Sequence, residues 1–125
     1  MTKNVLGTVL QTCCTNPLTG FYRDGKCNTS PEDLGKHTVC VVLTDEFLNH
    51  QASIGNDLIT PQPEFGFPGL KAGDRWCVCV ELWKKSYEAG VIGSTCLEAT
   101  HERALEVVSL EMLLSSAHFG ETRAN

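Results

Sequence analysis

A chain of 125 residues with 42% hydrophobic and 20% charged residues is long enough to fold as one domain and too apolar to be globally disordered. Its formal net charge of −5, with no basic run longer than Lys84-Lys85, argues against nucleic acid or an anionic membrane surface as a partner, since both demand concentrated positive charge. The opening Met1-Thr2-Lys3-Asn4-Val5-Leu6-Gly7 lacks the apolar core of a secretory signal, and no stretch approaches a membrane span, so the expected compartment is the cytoplasm.

Asn4 to Thr12 reads as a short strand, with Val5, Val9 and Leu10 apolar and Gly7 as a bulge. Cys13 to Lys36 then shows almost no periodicity and carries turn signals at Asn16-Pro17, Asp24-Gly25 and Ser30-Pro31. Two readings stand for it: an ordered omega-like loop packed on Phe21 and Tyr22, or a site-forming loop. His37 to Leu43 is β-branched and apolar on both faces, which predicts a central strand. Thr44 caps a predicted helix over Asp45 to Ile54, with Phe47, Leu48 and Gln51 or Ala52 inward and Gly55 as its stop.

Gly55 to Asp74 is a second irregular segment, stiffened by Pro61, Pro63 and Pro68. It leads into the stretch around which the chain is organised, Gly73-Asp74-Arg75-Trp76-Cys77-Val78-Cys79-Val80-Glu81. Alternation there predicts a strand with Trp76, Val78 and Val80 on one face and Arg75, Cys77, Cys79 and Glu81 on the other. A helix over Leu82 to Ala89 follows, then a third strand over Ser94 to Thr100. Thr100 is expected to cap a short turn that exposes His101, and Glu106 to Val108 reads as a last short strand. Ser109 caps a helix presenting Leu110, Leu113, Leu114 and Ala117, and the polar tail from Phe119 is expected to fray.

The seven cysteines, Cys13, Cys14, Cys27, Cys40, Cys77, Cys79 and Cys96, are odd in number and lack a leader, which points to reduced thiols. Cys77 and Cys79 share one strand face about 6–7 Å apart, too far for an easy bridge to each other. Cys40 and Cys96 read as small core hydrophobes. The paired C-x-x-C spacing of a zinc ribbon is absent. A metal would have to gather Cys77, Cys79, Cys27 or Cys13 with His37 or His101 from across the fold. Thiol catalysis would need Cys27, Cys77 or Cys79 beside His37 or His101, with Asp24, Asp57 or Asp74 orienting the base. Arg23 and Arg75 suit carboxylate or phosphate recognition, while Asp24, Asn28, Asn56, Asp57 and Asp74 serve equally well as turn caps. His50 and His118 need no special role.

The blocks Gly20-Phe-Tyr-Arg-Asp-Gly25, Cys27-Asn-Thr29, Pro31-Glu-Asp-Leu-Gly35, His37-Thr-Val-Cys40, Gly55-Asn-Asp-Leu58, Pro63-Glu-Phe-Gly-Phe-Pro-Gly-Leu70, Gly73-Asp-Arg-Trp-Cys-Val-Cys79 and Ala99-Thr-His-Glu102 span nearly the whole chain. They resemble a family of small proteins known only as a conserved domain of unknown function. That resemblance implies a single-domain, soluble α+β protein and brings no activity, substrate or cofactor with it. In the family's pattern a single cysteine often stands at Cys13-Cys14, and a cysteine replaces Lys26.

Together these features predict an α+β fold with a small mixed sheet of four or five short strands, about three helices and two long ordered loops, as one domain over the whole chain. The expected function is binding of a small molecule or a protein partner at a polar site built from residues 13–36, 55–74 and 75–81. The candidate residues are Arg23, Asp24, Cys27, His37, Asn56, Asp57, Asp74, Arg75, Cys77, Cys79 and His101. No catalytic residue, metal ligand or cofactor is assigned. The alternatives are a thiol- or zinc-dependent enzyme using Cys77 or Cys79 with a histidine, and a protein-interaction module anchored on Phe65, Phe67 and Trp76.

Overall fold

The structure, a computed structural model, describes residues 1–117; His118 and the tail from Phe119, expected to fray, lie outside the described residues. The fold is α+β. Strands β1 (His37–Val42), β2 (Arg75–Cys79) and β3 (Ser94–Thr95) form an antiparallel sheet in the order β2-β1-β3. Helices α1 (Asp45–Ser53), α2 (Val80–Glu88) and α3 (Leu110–Ser115) pack with it, and 3-10 turns cover Pro63–Phe65, Leu97–Ala99 and Glu102–Glu106. No helix among the described residues is long and apolar enough to cross a membrane.

β1 is central and buried on both sides, as its β-branched run predicts. Val39 and Val41 face an apolar core with Trp76, Val78, Phe47, Leu48, Trp83 and Leu113. Cys40 turns the other way, into a small second core of Cys13, Cys27, Cys77, Cys96 and Ala99. The local start signals hold. Thr44 Oγ1 accepts the Phe47 N–H at 3.1 Å to open α1, and Ser109 Oγ accepts the Met112 N–H at 3.2 Å to open α3. Inside α1, buried Gln51 donates through Nε2 to Leu82 O and Ser86 Oγ and accepts from Asn56 Nδ2, tying α1 to α2. His50 joins that network through a 2.7 Å contact between Nδ1 and Ser86 Oγ.

The sheet has three strands, all antiparallel, rather than a mixed set of four or five, and each shortfall has a local cause. Asn4 to Thr12 is drawn into a turn. Asn4 Oδ1 accepts the Leu6 and Thr8 N–H groups, and its Nδ2 donates to Thr8 Oγ1, Val9 O and Glu98 O, with Gly7 at φ 84 completing the reversal. The third strand ends at Thr95 because a side chain replaces the next ladder partner. Cys96 N still donates to Cys40 O, but Cys40 N donates to Thr100 Oγ1, which itself donates to Cys96 O. Glu106 closes a 3-10 turn, and Val108 N donates back to Ala104 O instead of to a strand. β2 yields to α2 at Val80, two residues before the predicted helix start. On α3 only Leu113 is buried; Leu110 and Leu114 are exposed.

The expectation of seven reduced thiols is corrected. Disulfides join Cys13 to Cys40 and Cys27 to Cys77, leaving Cys14, Cys79 and Cys96 free. The bridges stitch the irregular segment 13–36 to the sheet at two points, Cys13 to the central β1 and Cys27 to the edge strand β2.

Candidate functional site

Segment 13–36 is pinned to β2, the edge strand, and segment 55–74 runs directly into it. Thr19, fully buried, accepts the Cys77 N–H on its Oγ1 at 2.8 Å, and this fixes the first loop beside the strand. The second loop is anchored by buried Leu58 and Leu70, whose backbones pair at 2.9 Å. Between them opens a cavity of about 480 Å³ lined by Gly20, Phe21, Arg23, His37, Leu58, Phe67, Trp76 and Cys77.

Arg23 is held in the left-handed region at φ 53, a conformation costly for a residue with a Cβ. Its Nη1 donates to Gly20 O at 2.7 Å, and its guanidinium stands 5.2 Å from the centre of the Trp76 ring. Trp76 in turn meets Phe67 edge-on, with ring centres 5.5 Å apart. The aromatic wall thus orients the cation, which keeps further N–H donors beyond the one Gly20 takes.

His37 is positioned by Asp33, four residues earlier. The Asp33 carboxylate accepts the His37 N–H at 2.9 Å, the ring Nδ1 at 2.7 Å and Thr29 Oγ1 at 3.1 Å. Burial pushes this carboxyl up, but the hydrogen bonds from His37 and Thr29 outweigh it and hold the group below the usual carboxylate range. An ionised Asp33 accepts only, so Nδ1 must carry the proton. Nε2 then has no protein partner among the described residues, and the half-exposed ring borders the cavity.

The other candidates scatter. Cys27 is fully buried behind its bond to Cys77. Cys79 is half-buried and lies opposite His37 in the β1–β2 pairing. Asp24 accepts the Lys26 N–H, Asp57 accepts from Ile59 and Thr60, and Asp74 binds Lys71 through its N–H and ammonium. Hydrogen bonds from Thr60 and Ile59 lower the Asp57 pKa, the pattern of a turn cap. Asn56 belongs to the Gln51 network, and Arg75 is exposed at the far end of β2.

His101 corrects two expectations. It is buried rather than exposed, and it caps the 3-10 turn itself, Nδ1 accepting the Arg103 N–H at 3.0 Å. Desolvation lowers its pKa. Thr100 is spent on Cys40 and Cys96 instead. Burial also pushes the Cys96 thiol up, with Arg75 partly offsetting it, as befits an inert core sulfur.

Sequence reasoning missed Gly20, Leu58 and Asp33 at this site, and it assigned Phe67 and Trp76 to a different role. The Asp33–His37 pair was within reach, since a carboxylate four residues before a histidine across a turn is a local signal. Trp76 is buried and Phe67 half-buried while Phe65 is 78% exposed, so the three rings do not form one exposed face. No curated protein matches the chain significantly. Residues 3–117 match DUF2237, described as an uncharacterised protein conserved in bacteria, and the chain belongs to that family.

Proposed function

We propose that this domain binds a small organic anion with a flat apolar body in the cavity beside β2. The observation that carries the reading is the lining itself: a guanidinium and an imidazole edge among three aromatic rings, with no carboxylate among the lining residues. Arg23 would pair with a carboxylate or phosphate, and His37 in its doubly protonated form would donate to the same group through Nε2. Phe21, Phe67 and Trp76 would cover the apolar body. The cavity lies where both long segments meet β2, with the Thr19 side chain holding the first to Cys77 and the Leu70–Leu58 backbone bond closing the second on itself.

Titration with benzoate, phenyl phosphate and benzylamine, followed by NMR, tests this. The two anions should move the Trp76 indole N–H and the Arg23 side-chain resonances saturably, and Arg23→Ala should abolish the effect. Shifts that are absent, or equally large with the amine, would refute the reading.

A catalytic reading draws on one further observation, the Asp33–His37 pair, since a carboxylate-oriented imidazole is what general-base chemistry requires. With Cys27 and Cys77 bonded to each other, Cys79 is the one thiol of the three considered that is free beside it. Alkylation of Cys79 should then slow markedly in His37→Ala; an unchanged rate removes this reading.

A further inference from the structure

We propose that, once its disulfides are reduced, the protein binds one tetrahedral zinc ion through Cys13, Cys27, Cys40 and Cys77. The two bridges are not separate features. The sulfurs of Cys13, Cys27 and Cys77 lie within 4.8 Å of one another, and Cys40 is bonded to Cys13, so the four sulfurs form one cluster. A tetrahedral zinc with Zn–S bonds of about 2.3 Å sets its sulfurs roughly 3.8 Å apart. Bonded sulfurs must separate when reduced, Cys13 already lies within 4.8 Å of both Cys27 and Cys77, and Cys40 has to turn in from its place beside Cys13 to complete the set.

Three of the four ligand residues have backbone anchors besides the disulfides. Cys13 N donates to Gly25 O at 2.7 Å, Cys77 N to Thr19 Oγ1 at 2.8 Å and Cys40 N to Thr100 Oγ1 at 3.2 Å. Cys40 and Cys77 are also direct partners in the β1–β2 register. Reducing the disulfides breaks none of these hydrogen bonds, so Cys13, Cys40 and Cys77 would keep their backbone anchors while Cys27 is freer to adjust to the ion.

The surroundings select the ion. Cys96, Ala99 and Val42 pack around the four sulfurs, and all four ligand residues are buried. Four thiolates in a dry pocket suit a borderline-soft ion, and the full set leaves no open coordination position, the mark of a structural rather than catalytic centre. Reduction by a trialkylphosphine converts each disulfide and one water into two thiols and one phosphine oxide. Zinc then displaces four protons from the four thiols, so binding weakens as pH falls. Reoxidation by a peroxide, one peroxide and two protons per disulfide giving two waters, would release the ion. Segment 13–36 would thus be tied to the sheet at both Cys13 and Cys27 under reducing and oxidising conditions alike.

The test is cobalt(II) titration of the phosphine-reduced full chain. The expected result is one ion per chain, with the visible absorption of tetrahedral cobalt, a thiolate-to-cobalt charge-transfer band and displacement by zinc. The triple variant Cys14→Ser, Cys79→Ser, Cys96→Ser should behave identically, and adding Cys40→Ser should weaken binding at least tenfold. Should that last variant fail to fold, alkylation of the reduced triple variant gives the answer: zinc should protect four cysteines, and free reaction of all four would overturn the proposal. Absence of the tetrahedral spectrum at excess cobalt would overturn it equally. The oxidised protein's response to benzoate is read separately, so failure of the metal site leaves the anion pocket standing.

Discussion

The ring of His37 lies so close over Gly35 that a Cβ there would stand 2.5 Å from Cε1 and 3.0 Å from Nε2. Gly35 has ordinary backbone dihedrals, so what it supplies is space rather than conformational freedom. Together with Asp33, it determines where the imidazole edge meets the cavity.

Gly35→Ala should therefore displace the His37 ring at a stability cost of about 1 kcal/mol, the low end for overpacking beside a half-exposed group. The His37 Cε1–H resonance should shift and binding of the anionic probe should weaken. An unchanged resonance would mean that the ring sits elsewhere in solution.

Arg23 separates backbone strain from side-chain contacts. Arg23→Ala keeps the left-handed strain and loses both the bond to Gly20 and the contact with Trp76, a loss of about 1–2 kcal/mol. Arg23→Gly should recover about 1 kcal/mol of that, because glycine adopts positive φ freely. Urea denaturation should rank the two variants in this order, and neither should bind the probe. Equal stability would place Arg23 outside the left-handed region in solution.

Two buried groups make the fold sensitive to acid in the same direction. Burial lowers the His101 pKa, so its stabilising contribution is complete above about pH 6.5 and drains as pH falls through the native value, because the unfolded chain takes up its proton first. A protonated Nδ1 could also no longer accept the Arg103 N–H. Asp33, likewise lowered, contributes fully above about pH 3.9 and loses its contribution below that. The melting temperature should fall between pH 7.5 and 5. His101→Asn, which preserves a capping side chain, should flatten that slope, and an equally steep slope would contradict the assignment.

The Cys27–Cys77 bridge spans 50 residues, and chain entropy alone assigns such a loop about 4 kcal/mol. Cys27→Ser with Cys77→Ser should lower stability by an amount of this order under oxidising conditions with no metal added. A loss below about 1 kcal/mol would mean that the Thr19 anchor and local packing hold the loop instead.

The elements legible from residues alone are those whose physics is local. β1 follows from a β-branched run apolar on both faces, β2 from alternation, and the starts of α1 and α3 from Thr44 and Ser109 bonding to an N–H three residues on. The irregularity of 13–36 and 55–74 could also be anticipated from the missing periodicity. Sulfur pairing could not. Seven cysteines and four histidines admit many equally plausible groupings, and only the paths of the loops bring Cys13 and Cys27 to strands 27 and 50 residues away. The same limit hid the burial of His101 and the aromatic wall around Arg23. Each depends on which distant surface a side chain meets, and spacing along the chain carries no information about that until the fold has closed.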